Sequence, residues 1–142
     1  MKEMIYSENM IDNRRKNLPP ELLSKGCYRG YEYIVLSLHS HPTAYVVLDE
    51  NNKWFGKFYD DINVSCHGGL TYSKNVLGRF LEYSEKYKCN VLSSVRGKWV
   101  IGWDYAHYGD YSSYMPEMGG KKWTTEEIVS EAKEVIDSLI DD

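Results

Sequence analysis

Two short clusters hold most of the side chains able to do chemistry: HGGLTYS at His67 to Ser73 and GWDYAHYGDY at Gly102 to Tyr111. His67, Asp104, His107 and Asp110 supply two imidazoles and two carboxylates, donors that suit zinc, manganese or iron and equally suit general acid and base work. Asp104, His107 and Asp110 are spaced by three, which would align them on a helix, but the flanking residues read as a strand end and a glycine turn. Ser65, Cys66, Thr71 and Ser73 lie near His67, yet no GxSxG elbow or other nucleophile setting surrounds them. Gly68 and Gly69, followed by the hydroxyls of Thr71 and Ser73, suit an anion such as a phosphate through backbone amides. A plainer role is also open, in which His67 only hydrogen-bonds the opposing turn through Asp104 or Asp110 and staples two loops.

The elements that must position these clusters follow from periodicity. YEYIVLSL from Tyr31 and AYVVLDE from Ala44 are rich in β-branched and aromatic residues and read as strands joined by the HSHPT hairpin loop. DENNK at Asp49 to Lys53 reads as a turn, WFGKFYD as a third strand with a bulge at Gly56, and INVSCHGGL as a fourth strand ending near His67. Ser73 reads as the N-cap of an amphipathic helix over 74–88, carrying Val76, Leu77, Phe80, Leu81 and Tyr87 at helical spacing. VLSSV and KWVIGWDYAH read as a hairpin around Arg96 and Gly97, with Trp99 and Trp103 on one face of its second strand.

Residues 111–123 have the Ser, Pro and Gly content of a loop and form a candidate lid. A helix over 125–140 follows, with Thr124 and Glu127 as a capping box and Ile128, Val129, Ala132, Val135, Ile136, Leu139 and Ile140 as its apolar stripe. Upstream, residues 1–30 read as a basic N-terminal arm in which PPELLSKG opens a short helical turn that Gly26 closes.

Composition narrows the function classes. The formal charge of -4 is uneven: residues 1–30 hold six basic and four acidic groups, whereas residues 124–142 sum to -6. That distribution argues against a duplex nucleic acid partner, which needs a broad basic face. Three cysteines without CxxC spacing favour neither a disulfide framework nor a zinc knuckle and read as buried thiols. No apolar run long enough for a membrane span and no signal-peptide pattern is present, so the expectation is a soluble, cytoplasmic chain. Thirteen tyrosines and four tryptophans exceed what packing needs and suit stacking on flat ligands or lining interfaces.

CHGGLTYS and WVIGWDYAHYGDY, followed by the capped helix, resemble a family of small bacteriophage proteins with a HGGLTYS segment and a WxIGFDxAHxGD-like segment; the likeness covers about residues 55–140. It implies a small accessory phage protein acting in the host cytoplasm during infection. Among accessory proteins of this size, one class opposes host immunity by sequestering a nucleotide-derived signal of the cyclic oligonucleotide or cyclic ADP-ribose type.

The inventory suits such a sponge, which needs no catalytic residue, metal or cofactor. Tyr72, Tyr105, Tyr108 and Tyr111 offer stacking faces, with Trp103 beside them; His67 and Asp104 offer contacts to a ribose, and His107 and Asp110 are further candidate ligand-binding residues. Arg79, Arg96 or Arg29 and the His67–Gly68–Gly69 turn with Thr71 and Ser73 offer phosphate contacts. Stoichiometric capture at a Kd of about 10 nM needs roughly 11 kcal/mol and an enclosed pocket, which a homo-oligomer builds readily. The expectation is an α+β domain over 31–142, with a mostly antiparallel sheet and two amphipathic helices. A metal-dependent hydrolase of the same nucleotides and a direct inhibitor of a host defence protein are the alternatives.

Overall fold

The computed structural model describes residues 20–75 and 98–141. Its centre is a five-stranded antiparallel sheet in the order β1-β2-β3-β5-β4. The strands are β1 (Glu21–Tyr28), β2 (Tyr31–Ser37), β3 (Pro42–Leu48), β4 (Tyr72–Lys74) and β5 (Trp99–Asp104), and one helix, α1 (Thr125–Asp141), packs on the sheet. The α+β class is thus borne out, with one α-helix among the described residues; the expected helix over 74–88 lies outside them beyond Asn75. Among the described residues no helix is long and apolar enough to cross a membrane.

The side-chain period of two divides the sheet cleanly. Tyr33, Val35, Ala44, Val46, Leu48, Ile101 and Trp103 face α1 and its buried stripe Ile128, Ala132, Val135, Ile136 and Leu139. Ile34, Leu36, Tyr45, Val47 and Val100 form a second buried cluster from the alternate positions. Gly102 belongs to that second face: a Cβ there would stand 2.6 Å from the Tyr45 ring, which lies across it and meets Tyr72 edge-on at 5.4 Å.

Helix α1 starts as its sequence says. Glu127 N–H donates to Thr124 Oγ1 at 3.1 Å and Thr124 N–H donates to Glu127 Oε1 at 3.0 Å, the reciprocal bonds of a capping box.

Four expectations are corrected. Glu21–Tyr28 is a strand and not a helical turn, because Arg29 and Gly30, at φ 51 and 87, form a two-residue hairpin that returns β1 onto β2. Gly26 serves that pairing, since a Cβ would collide with Tyr33 at 2.3 Å. WFGKFYD is a run of turns ending in a short 3-10 segment at Tyr59–Asp61, organised by buried Asn52, which accepts from Trp54 N–H at 2.9 Å and donates to Tyr31 Oη at 2.8 Å. INVSCHGGL is irregular, and Ser73 caps no helix: it sits in edge strand β4 and its Oγ accepts from Tyr59 N–H at 2.9 Å.

Candidate functional site

The two clusters meet in space. Cys66 C=O accepts from Gly69 N–H at 2.9 Å, closing a turn that needs φ of 69 at Gly68 and 81 at Gly69. His107 C=O accepts from Asp110 N–H at 2.9 Å and closes a second turn, with Gly109 at φ 93. His67 spans the gap between the turns, its Nε2 2.7 Å from Asp110 Oδ2.

Asp110 is the hub. Its side chain is 3% exposed, and its carboxylate also accepts from His107 N–H at 3.0 Å and from Trp123 Nε1–H at 2.8 Å. Burial alone would raise its pKa, but the hydrogen bonds from His67, His107 and Trp123 together hold the carboxyl below the usual aspartate range. With Asp110 ionised, His67 Nε2 must carry the hydrogen they share.

A second set of bonds runs into the core. The His67 ring stacks on Tyr105 at 4.7 Å and 10° and meets Trp123 edge-on at 4.8 Å. Tyr105 Oη accepts from Trp103 Nε1–H at 3.0 Å and donates to Glu131 Oε1, while Glu131 Oε2 accepts from His67 N–H at 2.8 Å. Burial and the Glu131 carboxylate push the Tyr105 hydroxyl far above its ordinary pKa, so it stays a donor. Cys66, beside this network, is pushed up to about 12 by burial and by the Glu131 and Asp104 charges.

Asp104 and His107 form the outer rim. Asp104 Oδ2 accepts from Thr71 Oγ1–H at 3.2 Å and Oδ1 accepts from Ala106 N–H at 3.1 Å. His107 Nε2 lies 3.2 Å from Asp104 Oδ1, near enough for an ion pair when protonated but off the line of a hydrogen bond. The ring packs on Gly68, where a Cβ would stand 2.1 Å from His107 Nε2. Among the described residues no group of three or more His, Cys, Asp or Glu side chains is arranged to hold a metal ion. His67 and Asp110 are aimed at each other.

A half-open groove of about 550 Å³ adjoins this clasp, lined by Ser40, His41, His107, Tyr108, Met115 and Met118 among others. Ser113 ties its loop to the His39–Ser40 turn, donating from N–H to Ser40 C=O at 3.1 Å and from Oγ to His39 C=O at 2.7 Å. The candidate lid is tied at its ends, where Tyr111 N–H donates to Lys121 C=O at 2.9 Å and Lys121 N–H to Gly109 C=O at 2.8 Å.

The expected site residues therefore separate. His67, Gly68, Thr71, Asp104, His107 and Asp110 come together, and Tyr108 stands fully exposed at the groove. Trp103 and Tyr105 are wholly buried and offer no face to a ligand; Tyr72 packs into the second core cluster and Ser73 is spent on Tyr59. Arg29 lies at the far hairpin, 2.7 Å from Asp137; Arg79 and Arg96 are outside the described residues. Ser40, His41, Trp123 and Glu131 are the participants that reading the sequence missed. Comparison of the chain with protein families, curated proteins and solved structures yields no match, so the phage resemblance rests on the two motif strings.

Proposed function

We propose that the chain is a binding protein, not a catalyst, and that it sequesters a nucleotide-derived immune signal in the groove beside the His67–Asp110 clasp, in the cytoplasm of a phage-infected cell. The observation that carries the reading is the pairing of the reactive groups with one another. The Asp110 carboxylate accepts three hydrogen bonds, Tyr105 and Glu131 are bonded together, and Cys66 is held as a thiol. The clasp thereby fixes the loop that presents Tyr108, a fully exposed ring suited to a base, against a groove wall of glycine backbone and thioethers. A hydrolase of the same ligands would instead need His67, Asp104, His107 and Asp110 turned towards a common point.

One observation favours a second reading, direct inhibition of a host defence protein. Tyr108, Met115 and Met118 are all more than half exposed on one loop, a combination found at protein interfaces.

The test is to incubate the purified protein with cyclic dinucleotides and cyclic ADP-ribose isomers, remove free ligand, heat-denature and analyse what is released. Intact ligand in stoichiometric amount is the expected result. A cleaved product would establish an enzyme, and no ligand together with a co-purifying host protein would establish the inhibitor.

A further inference from the structure

We infer that Ser40 is a nucleophile with His41 as its base, and that the groove offers this pair to the carbonyl group of an ester with a short apolar acyl chain. This goes beyond the sequestration reading and does not rest on it, because neither residue belongs to the clasp.

The inference starts from one contact. Ser40 Oγ stands 2.7 Å from His41 Nδ1, and both residues line the groove. A serine hydroxyl within hydrogen-bond reach of an imidazole nitrogen is the arrangement that turns a weak nucleophile into a reactive one. Ser40 is 6% exposed, so bulk water competes little for the contact. In the neutral tautomer with its hydrogen on Nε2, the ring accepts the Ser40 hydroxyl at Nδ1 and can take its proton there.

The backbone that carries the pair is the second observation. His39, immediately before Ser40, has φ 74, a left-handed conformation uncommon for a residue with a Cβ. Its N–H donates to Ser37 Oγ at 3.1 Å, its C=O accepts from Ser113 Oγ at 2.7 Å, and Leu38 N–H donates to His41 C=O at 3.0 Å. Ser113 N–H holds the Ser40 carbonyl as well, at 3.1 Å. Backbone kept in a costly conformation by bonds from a second loop is what positions a reactive side chain, and such residues concentrate at active sites.

The step balances without a cofactor. Ser40 Oγ bonds to the ester carbonyl carbon as its proton passes to His41 Nδ1. The bond from that carbon to the alcohol oxygen then breaks, and the leaving oxygen takes the proton back from His41, giving acyl-Ser40 and free alcohol. Met115 and Met118 line the same groove, 52% and 67% exposed, and their thioethers suit an apolar acyl chain better than a charged one.

The experiment treats the full chain with p-nitrophenyl butyrate, follows release of p-nitrophenol by absorbance and locates the butyryl group by peptide mapping. One butyryl group on Ser40 in the native protein, and none on Ser40 in urea, is the expected result. Ser40→Ala should abolish that labelling, and His41→Gln should slow it about a hundredfold. Butyryl on lysines, Cys27 or Tyr108 with Ser40 unmodified overturns the inference, and so does labelling of Ser40 that is as fast in urea or in His41→Gln. Should either variant not fold, the native and urea maps of the unsubstituted protein still decide. Continued p-nitrophenol release that Ser40→Ala abolishes would uphold the nucleophile and end the reading of the chain as a binder alone, whereas failure to capture a nucleotide leaves this inference standing.

Discussion

His67 and Asp110, 43 residues apart in the chain, meet at 2.7 Å and close two glycine turns onto one carboxylate that is 3% exposed. The buried Asp110 carboxylate accepts three hydrogen bonds, and an amide in its place turns a donor towards groups that donate to it, so Asp110→Asn should cost about 2 kcal/mol of folding stability. The urea midpoint should fall with little change in slope. An unchanged midpoint would mean that the clasp adds nothing to the fold.

Acid should undo the same contact. Asp110 is held below its unfolded value of about 3.9, so the unfolded chain takes up the proton first as pH falls. The contribution is fully present above about pH 5 and is lost as pH drops through the depressed folded value. Measured at pH 6 and again near pH 2.5, the stability gap between the unsubstituted protein and Asp110→Asn should shrink, because asparagine does not titrate. A gap constant across that range contradicts the assignment of Asp110 as an ionised hub.

The strands β2, β3 and β5 and helix α1 were legible because their apolar periods of two and 3.6 are unbroken, and the capping box at Thr124 marks the helix start without tertiary help. The β1 strand was not: Pro19 and Pro20 before an apolar pair imitate a helix start, whereas the decisive signal is the Arg29–Gly30 turn and its pairing with β2. WFGKFYD has strand composition, but Asn52 ties that stretch into turns through bonds no local pattern announces. The meeting of His67 with the Asp104–Asp110 segment was open as a staple or a site from the residue types. Glu131 was hidden because it sits on the helix face whose other acids are solvated, and only the sheet packing of α1 brings it to Tyr105. Tyr105 was read as a stacking face because period two cannot say which face of the strand end is covered.

Gly68 should tolerate no side chain. Its φ of 69 disfavours any Cβ, and an added methyl would stand 2.1 Å from His107 Nε2 in the ring that packs on it. Gly68→Ala should therefore cost about 2 kcal/mol and push His107 outward. Gly109→Ala is the control, because a Cβ there meets nothing within 4 Å and only the φ of 93 opposes it. Gly68→Ala should be the more damaging in thermal melts and should also weaken ligand capture; equal losses would show that backbone strain alone sets the cost.

Cys66 reports on the clasp from within the Gly68–Gly69 turn, where the Gly69 backbone meets its sulfur. At about 12 its thiol is ionised at pH 8 in only about one molecule in ten thousand, and the thiolate is the species that alkylates. Cys27, expected to be a buried thiol, is exposed on β1 and has no such shield. Iodoacetamide at pH 8 followed by peptide mapping should modify Cys27 while sparing Cys66, and denaturation should equalise the two. Asp110→Asn, by releasing the turn at Gly68, should raise Cys66 labelling in the native protein towards the Cys27 rate, since Glu131 then loses its fixed place beside the thiol. Fast native labelling of Cys66 in the unsubstituted chain would instead make it an accessible nucleophile, and would reopen a covalent role for the HGGLTYS turn.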